Sequence, residues 1–231
     1  MTNMSLSIKL PYCTIYRNKT ISKKIEQQVS HAYQTNKKLY QRTVPRFKII
    51  ICDNEEEFKH ATKYYYSPSS AGTALKDGTL IVRSQEFLNT TRKFFQEVLT
   101  HEMNHTFSNI LYKGTTKPSW ITEAIATLAA TQTYFLSKND TLQKNPTANM
   151  LHYRYMKKRF NIQRDKKILI YSVWMHFFHY ATKGDLKKGI QFMEQYIKHP
   201  TRKHYDELFR KCFGKPPEKL FQDFLHNQTF L

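Results

Sequence analysis

The chain has 231 residues, of which 40% are hydrophobic and 14% aromatic, so it carries enough apolar material for one substantial core or for two lobes that share a cleft. Its 6 glycines and 8 prolines leave no stretch with the composition of a flexible linker or a disordered tail. The formal net charge is +19, but the basic residues are scattered and accompany neither a phosphate-binding glycine loop nor an RNA-binding aromatic motif, so a solvated basic surface is favoured over a nucleic-acid interface.

The first residues, the apolar runs and the cysteines bear on the cellular compartment. Residues 1–9 lack the apolar core of about 7–15 residues that a secretion signal needs. The longest apolar-rich run, residues 168–181, is interrupted by polar side chains and is shorter than the ~18 residues that span a bilayer. The 3 cysteines are far apart and form no CxxC pair, so we expect neither a disulfide framework nor a cysteine zinc site. We therefore expect a cytoplasmic protein without a transmembrane segment, with leaderless export as the alternative, and the sequence does not predict an oligomeric state.

The first third of the chain alternates helical and strand patterns. Apolar residues at helical intervals predict an amphipathic helix over residues 21–41. A β-branched run predicts a strand over residues 47–52. Asn54, with Glu57 three residues later, forms a capping-box pattern that predicts a helix through about residue 65.

A β-hairpin and a long helix are predicted next. The segments 73–76 and 79–83 flank Asp77-Gly78, a dipeptide typical of a two-residue hairpin turn. From a threonine N-cap at position 90 or 91, apolar residues at helical spacing predict one helix that stops at Gly114.

The remainder of the chain has helical patterns throughout. An alanine-rich segment predicts a helix over residues 119–136, and further helices are predicted over residues 148–160, 169–182, 185–199, 204–213 and 217–227. We therefore expect an α+β protein that forms a single unit over residues 1–231. A small β-sheet, with the hairpin at its edge, would pack on the long helix in an N-terminal lobe (1–114), and a mainly helical C-terminal lobe (115–231) would follow.

The long helix contains the motif His101-Glu102-Met103-Asn104-His105, an HExxH sequence. Residues four apart on a helix share one face, so the imidazoles of His101 and His105 can bind one metal ion. Glu102 projects beside that metal, within reach of a water molecule bound to it, which is where a general base belongs. The motif therefore predicts a catalytic site with a single Zn²⁺ ion.

Catalytic zinc keeps three protein ligands, and Glu123 is the candidate for the third. It follows a proline-marked turn in the next predicted helix, and an antiparallel pair of helices would bring its carboxylate beside the histidines. The alternative is a solvated or N-terminal helix charge. The apolar residues around Glu123 favour the metal ligand, because a carboxylate in such a helix must be paired or bound.

The HExxH motif and the segment after it resemble the gluzincin zinc metallopeptidases, in particular a small group of peptidase MA-like proteins. The matching positions of the segment are Pro118, Trp120, Ile121, Glu123 and Ala126, and Ala124 stands where the family usually has glycine. The resemblance covers residues 47–226, closely at the zinc motif and loosely elsewhere, and it implies a zincin-like fold with His101, His105 and Glu123 as zinc ligands.

The resemblance also implies roles for residues outside the metal site. Tyr171, from the helical part of the chain, is the best match to the residue that stabilises the oxyanion in related peptidases, although a packing role is the alternative. Residues 79–83 resemble the edge strand that pairs with extended substrate. Thr127 stands where thermolysin-like enzymes have an acid that orients a zinc histidine, so the partner of either histidine is unassigned.

These observations predict a zinc-dependent peptidase in which Glu102 is the general base, and an endopeptidase is favoured over an aminopeptidase. Its partner would be a peptide or protein in an extended conformation. One alternative is a zinc hydrolase of a non-peptide amide. The other is a basic binding module for nucleic acid or an acidic protein, in which zinc only stabilises the fold.

Overall fold

The computed structural model describes residues 6–132, 137–144, 146 and 164–227, which form an α+β fold with one small sheet and mostly helical remainder. The sheet has the order β1-β2-β3-β5-β4. Its strands are β1 (Leu6–Lys9), β2 (Cys13–Arg17), β3 (Phe47–Cys52), β4 (Gly72–Ala74) and β5 (Leu80–Arg83).

Two helices alternate with the strands in the first part of the chain, and all described elements after β5 are helices. They are α1 (Lys23–Tyr40), α2 (Glu55–Thr62), α3 (Arg92–Leu111), α4 (Ser119–Ala129), α5 (Lys138–Gln143), α6 (Arg164–Thr182), α7 (Leu186–Tyr196), α8 (Arg202–Phe213) and α9 (Pro217–His226), with a short 3-10 helix at Lys63–Tyr65. None of the described helices has the length and apolar composition that crossing a membrane requires. The predicted helix over residues 148–160 lies outside the described residues.

The chain divides into two compact units. The first comprises residues 1–113 and 129–132, and the second comprises residues 114–128 and 133–231. The first unit contains the whole sheet. In the second unit, all regular elements among the described residues are helices.

In the first unit, β2, β3 and β5 run parallel, while β1 and β4 pair antiparallel at the two edges. The inward side chains of the central strands are fully buried, among them Ile15, Ile49, Ile51, Leu80 and Val82. Helix α3 contacts α1 and both strands of the hairpin. The HExxH helix therefore packs against the strands of the hairpin, as the sequence predicted.

The hairpin differs from the prediction in two respects. The turn is a three-residue loop, because the Gly78 amide donates to the Leu75 carbonyl at 2.9 Å and the Leu75 amide donates to the Thr79 carbonyl at 2.8 Å. Gly78 alone takes the left-handed conformation, at φ 87°. The strand over residues 79–83 was expected at the edge, but β5 pairs with β3 on one side and β4 on the other, so β4 is the hairpin strand that lies at the edge.

The predicted helix starts are correct where a capping side chain marks them. A predicted helix end is wrong where the backbone adopts a left-handed conformation. Thr91 caps α3 by accepting a hydrogen bond from the Phe94 amide at 3.2 Å, and Asn54 caps α2 by accepting one from the Glu57 amide at 2.9 Å. Helix α4 was expected to continue to residue 136 but ends at Ala129, because Thr131 adopts a left-handed conformation at φ 49°.

The second unit has an aromatic core built from side chains of its helices. Trp120 packs against Phe177, Phe178 and Phe209, with ring centroids 5.5–6.3 Å apart. The Trp120 indole N–H donates to the Tyr205 hydroxyl at 2.9 Å. The tryptophan that follows the predicted turn is therefore a core residue of this unit.

Candidate metal centre

Helix α3 presents His101 and His105 on one face, one turn apart, as the HExxH spacing predicts. Their Nε2 atoms are 3.1 Å apart, and the rings meet edge to face with centroids separated by 4.8 Å. Two imidazole nitrogens bound at about 2.0–2.1 Å to a tetrahedral ion are about 3.3 Å apart. The two rings therefore already have the separation that a shared metal ion needs.

An adjacent face of the same helix turn is fixed by buried polar contacts. Asn104, within the HExxH motif, is fully buried and donates to the Asn36 side chain of α1 at 2.8 Å. Tyr40 of α1 donates to the Asn104 side-chain oxygen at 3.1 Å, and Asn36 donates to the Thr100 carbonyl at 3.1 Å. Because these buried groups are satisfied only in one register, they set the rotation of α3 and hence the direction of both histidines.

The orientation of His101 is set by a residue that the sequence did not identify. Its Nδ1 is 2.9 Å from the Oε1 of Gln132, whose side chain is buried. An amide oxygen only accepts, so this contact requires a proton on Nδ1, and in the neutral imidazole the lone pair is then on Nε2. That lone pair is on the side of the ring where His105 lies.

Glu123 belongs to an apolar stretch of α4, as the sequence predicted. Its side chain is 4% exposed, and its helix neighbours Ile121, Ala124 and Ile125 are buried. One ligand atom from each of His101, His105 and Glu123 can be chosen so that all three lie within 4.8 Å of one another. These three residues could hold a metal ion, because two neutral imidazoles and one carboxylate are a common ligand set for divalent metals.

Glu102 lies against the edge strand of the sheet. A Cβ atom built on Gly72 of β4 would be 2.8 Å from its Cγ, so the glutamate stem passes directly over the glycine. The side chain of Glu102 is partly exposed. The residue that follows His101 on α3 therefore contacts β4, which forms one edge of the sheet.

Other polar groups near these elements have altered acidity. Burial raises the pKa of Glu97, one turn before His101 on α3, although Lys93 opposes the shift. Burial lowers the pKa of the Lys117 amine to about 8. In each case the burial of the group itself disfavours its charged form.

Tyr171, expected to stabilise an oxyanion, is a partly buried residue of α6. Its ring meets that of Trp174 edge to face at a centroid distance of 5.4 Å. The contact agrees with a packing role as well as with an active-site role, so its assignment stays a prediction. His176 on the same helix is buried, at 8% exposed.

Two contributing residues, Gln132 and Gly72, were missed by the sequence reasoning. An isolated glycine next to a predicted strand often marks a place where another part of the chain comes close, and this signal could have identified Gly72. Gln132 has no such signal, because it lies 31 positions from His101 and between two threonines.

No protein-family model matches the sequence, and a search of the curated proteins finds no match. The interpretation of the site therefore rests on its residues and their geometry.

Proposed function

We propose that the protein is a zinc-dependent peptidase of the gluzincin type with a zincin-like fold. His101, His105 and Glu123 would hold one Zn²⁺ ion, and Glu102 would be the general base. The observation that carries the proposal is the convergence of three ligand atoms within 4.8 Å, two of them from an HExxH motif on a helix. Three protein ligands leave a fourth position open, which distinguishes a catalytic zinc site from a structural one.

The ligand set and its surroundings suit zinc. Zinc accepts imidazole nitrogen and carboxylate oxygen in a tetrahedral arrangement, and the separation of 3.1 Å between the histidine Nε2 atoms fits that geometry. When bound, Zn²⁺ would polarise the scissile carbonyl and lower the pKa of a water molecule to about 7.

The reaction would be the hydrolysis of an amide bond, with Glu102 moving the proton. Its carboxylate would accept a proton from the attacking water and then deliver it to the departing amine. Glu102 lies one position after His101, so it projects beside the ligands instead of joining them. Tyr171 would donate a hydrogen bond to the developing oxyanion, and a Tyr171→Phe variant that keeps full turnover would refute this role.

The edge strand suggests how a substrate would bind. Strand β4 uses one edge to pair with β5 and ends the sheet on its other side among the described residues. An extended peptide could add to that edge by backbone hydrogen bonds, which would carry its scissile bond past Gly72 and Glu102. It would share or displace two contacts already made there, in which the Ser70 hydroxyl donates to the Gly72 carbonyl and the Asn109 amide donates to the Ala74 carbonyl. Backbone pairing along a strand suits an internal segment of a polypeptide, so we favour an endopeptidase.

The decisive experiment compares wild type with Glu102→Gln in zinc content and in the hydrolysis of a peptide library and casein. We expect the variant to keep its fold and its metal and to lose at least about 100-fold in turnover, the usual contribution of a general base. Glu97→Gln is the matched control, because Glu97 is a buried glutamate of the same helix.

The outcomes separate the three candidate functions. Equal hydrolysis by wild type and Glu102→Gln would refute the mechanism. Zinc binding without hydrolysis of any peptide, combined with salt-sensitive binding to nucleic acid or acidic protein, would favour the basic binding module that the net charge of +19 also permits. Hydrolysis restricted to small non-peptide amides would favour the third candidate.

A further inference from the structure

The contact between Gln132 and His101 is the part of the site that metal ligation alone does not explain. The His101 Nδ1 is 2.9 Å from Gln132 Oε1, and the Gln132 side chain is 6% exposed. We propose that Gln132 is the positioning residue of the metal site: it fixes His101 in the tautomer and orientation that present Nε2 to the metal. This inference rests on the proposed metal site, but it concerns a residue outside the ligand set.

The backbone conformation just before Gln132 indicates that the fold holds Gln132 in place against His101. Thr131 is a β-branched residue held at φ 49°, in the left-handed region that such residues rarely occupy. Disfavoured conformations of this kind persist where the surrounding structure requires them, and they concentrate at functional sites. Here the unfavourable conformation ends α4 and is followed at once by the residue that contacts His101.

The chemistry of an amide makes the contact directional. The Gln132 oxygen accepts and cannot donate, so only the tautomer with a protonated Nδ1 satisfies it. His101 then has its lone pair on Nε2, and that atom lies 3.1 Å from the Nε2 of His105. Without the acceptor, the ring could rotate or exchange tautomers, and the free energy of metal binding would have to restore the lost order.

The use of a neutral amide has a second consequence. A carboxylate at this position would raise the basicity of the imidazole, so that Nε2 would bind a metal ion more strongly. An amide orients the ring without adding charge. We therefore expect Gln132→Glu to bind Zn²⁺ at least as tightly as wild type. Gln132→Met, which keeps the length of the side chain and removes the acceptor, should lose about 10–100-fold in affinity.

The test measures zinc affinity by competition with a chelator, together with the absorption spectrum of the Co²⁺-substituted protein, in wild type and both variants. Gln28→Met is the matched control. Gln28 is a buried glutamine of the same unit, 4% exposed, and its side chain donates to the Arg92 carbonyl at 3.2 Å instead of contacting a histidine. Thermal unfolding without metal checks that each variant folds.

Selective loss of affinity in Gln132→Met, with wild-type affinity in Gln28→Met and recovery in Gln132→Glu, would support the proposal. Equal affinity in wild type and Gln132→Met would overturn it, and so would equal losses in Gln132→Met and Gln28→Met. If Gln132→Met does not fold, Gln132→Glu decides, since tenfold weaker zinc binding by that variant would overturn the proposal. Failure of wild type to bind zinc would instead refute the metal site itself.

Discussion

Gly72 on the edge strand and Glu102 on α3 are so close that the glycine has no room for a side chain. A Cβ atom on Gly72 would lie 2.8 Å from the Glu102 Cγ and 3.0 Å from a methyl group of Val82. Gly72 lies in a strand and is not among the glycines with positive φ. A glycine is needed here because a side chain would not fit, and not because of the backbone conformation. The strand therefore helps to define where the proposed general base can sit.

Gly72→Ala should consequently impair turnover more than metal binding. The added methyl group displaces Glu102 or the strand by a few tenths of an ångström, and we expect kcat to fall by about 10–100-fold, because catalysis is sensitive to misplacement on the ångström scale. Zinc affinity should stay within a few-fold of wild type, since Gly72 is not a proposed ligand. Steady-state kinetics at matched zinc content checks the prediction.

Gly114→Ala is the stability control for this experiment. A Cβ atom there meets nothing within 4 Å, but φ is +76°, so the substitution should cost about 1–2 kcal/mol of stability through the backbone alone. Wild-type turnover by folded Gly114→Ala and reduced turnover by Gly72→Ala would separate a local effect on Glu102 from general destabilisation. Equal turnover by both glycine variants would contradict the prediction.

Glu123→Gln should weaken zinc binding without unfolding the protein. The amide is nearly isosteric with the carboxylate but lacks its charge, and we expect the affinity for Zn²⁺ to fall by more than about 100-fold, beyond the usual effect of losing an outer-shell partner. Isothermal titration or chelator competition measures the loss. Glu97→Gln again provides a buried glutamate, 6% exposed, whose change should leave the affinity intact. Undiminished affinity in Glu123→Gln would remove Glu123 from the ligand set.

The elements that the sequence predicted are those whose signals are local. The capping side chains of Thr91 and Asn54 mark the starts of α3 and α2 as expected. Strands β1 and β2 were missed. Strand β1 is short and largely exposed, with no buried residue to produce a pattern, whereas β2 is buried at four of its five positions and so shows no alternation of polar and apolar residues. The edge position of β4 also depends on β5 pairing with the distant β3, which no local pattern records.

In the candidate site, too, residues with a local sequence signal were predicted and residues that depend on distant contacts were not. Residues four apart on a helix lie on the same face, so a helical segment is enough to bring His101 and His105 together. Both could therefore be identified from the sequence. Glu123 needed its apolar surroundings and a family resemblance. Gln132 depends on the left-handed turn at Thr131 and on tertiary contact with α3, and neither has a sequence signal that general principles would recognise.

A buried ion pair should govern the acid stability of the first unit. The Arg17 guanidinium lies 2.6 Å from the Asp53 carboxylate, and both side chains are 3% exposed. Burial alone would raise the pKa of Asp53, but the hydrogen bonds from Arg17 and Ser84 and the Arg17 charge outweigh it, so the pKa lies below its ordinary value of 3.8. The pair therefore contributes its full stability above about pH 4 and loses it as the pH falls through the lowered pKa.

Asp53→Asn should lower the free energy of unfolding by about 3–5 kcal/mol at pH 7, because it leaves a buried guanidinium without its main countercharge. The difference from wild type should shrink below about pH 4, as wild-type Asp53 becomes protonated. Glu86→Gln is the control, since Glu86 contacts the same arginine at 3.0 Å but is 64% exposed, and its loss should cost less than about 1 kcal/mol. Urea unfolding between pH 3 and 7 measures both, and a pH-independent difference for Asp53→Asn would contradict the assignment.

Gly189 on α7 and Phe178 on α6 make a similarly close contact in the second unit. A Cβ atom on Gly189 would lie 2.0 Å from the Phe178 Cζ, and both residues are buried. In an exposed helix position, replacing glycine by alanine stabilises by about 0.5–1 kcal/mol. Here the overlap should reverse the sign, so we expect Gly189→Ala to destabilise by about 1–3 kcal/mol, the usual range for overpacking a core.

Shortening the aromatic partner should relieve that overlap. Phe178→Leu alone should destabilise the protein by opening a cavity, but Gly189→Ala combined with Phe178→Leu should cost less than the sum of the two single changes, because the added methyl group partly fills the space. Lys188→Ala, at an exposed position of the same helix, controls for helix propensity and should change stability by less than about 0.5 kcal/mol. Chemical denaturation of wild type, the two single variants and the double variant gives the coupling energy, and strictly additive values would show that α6 and α7 do not meet through this pair.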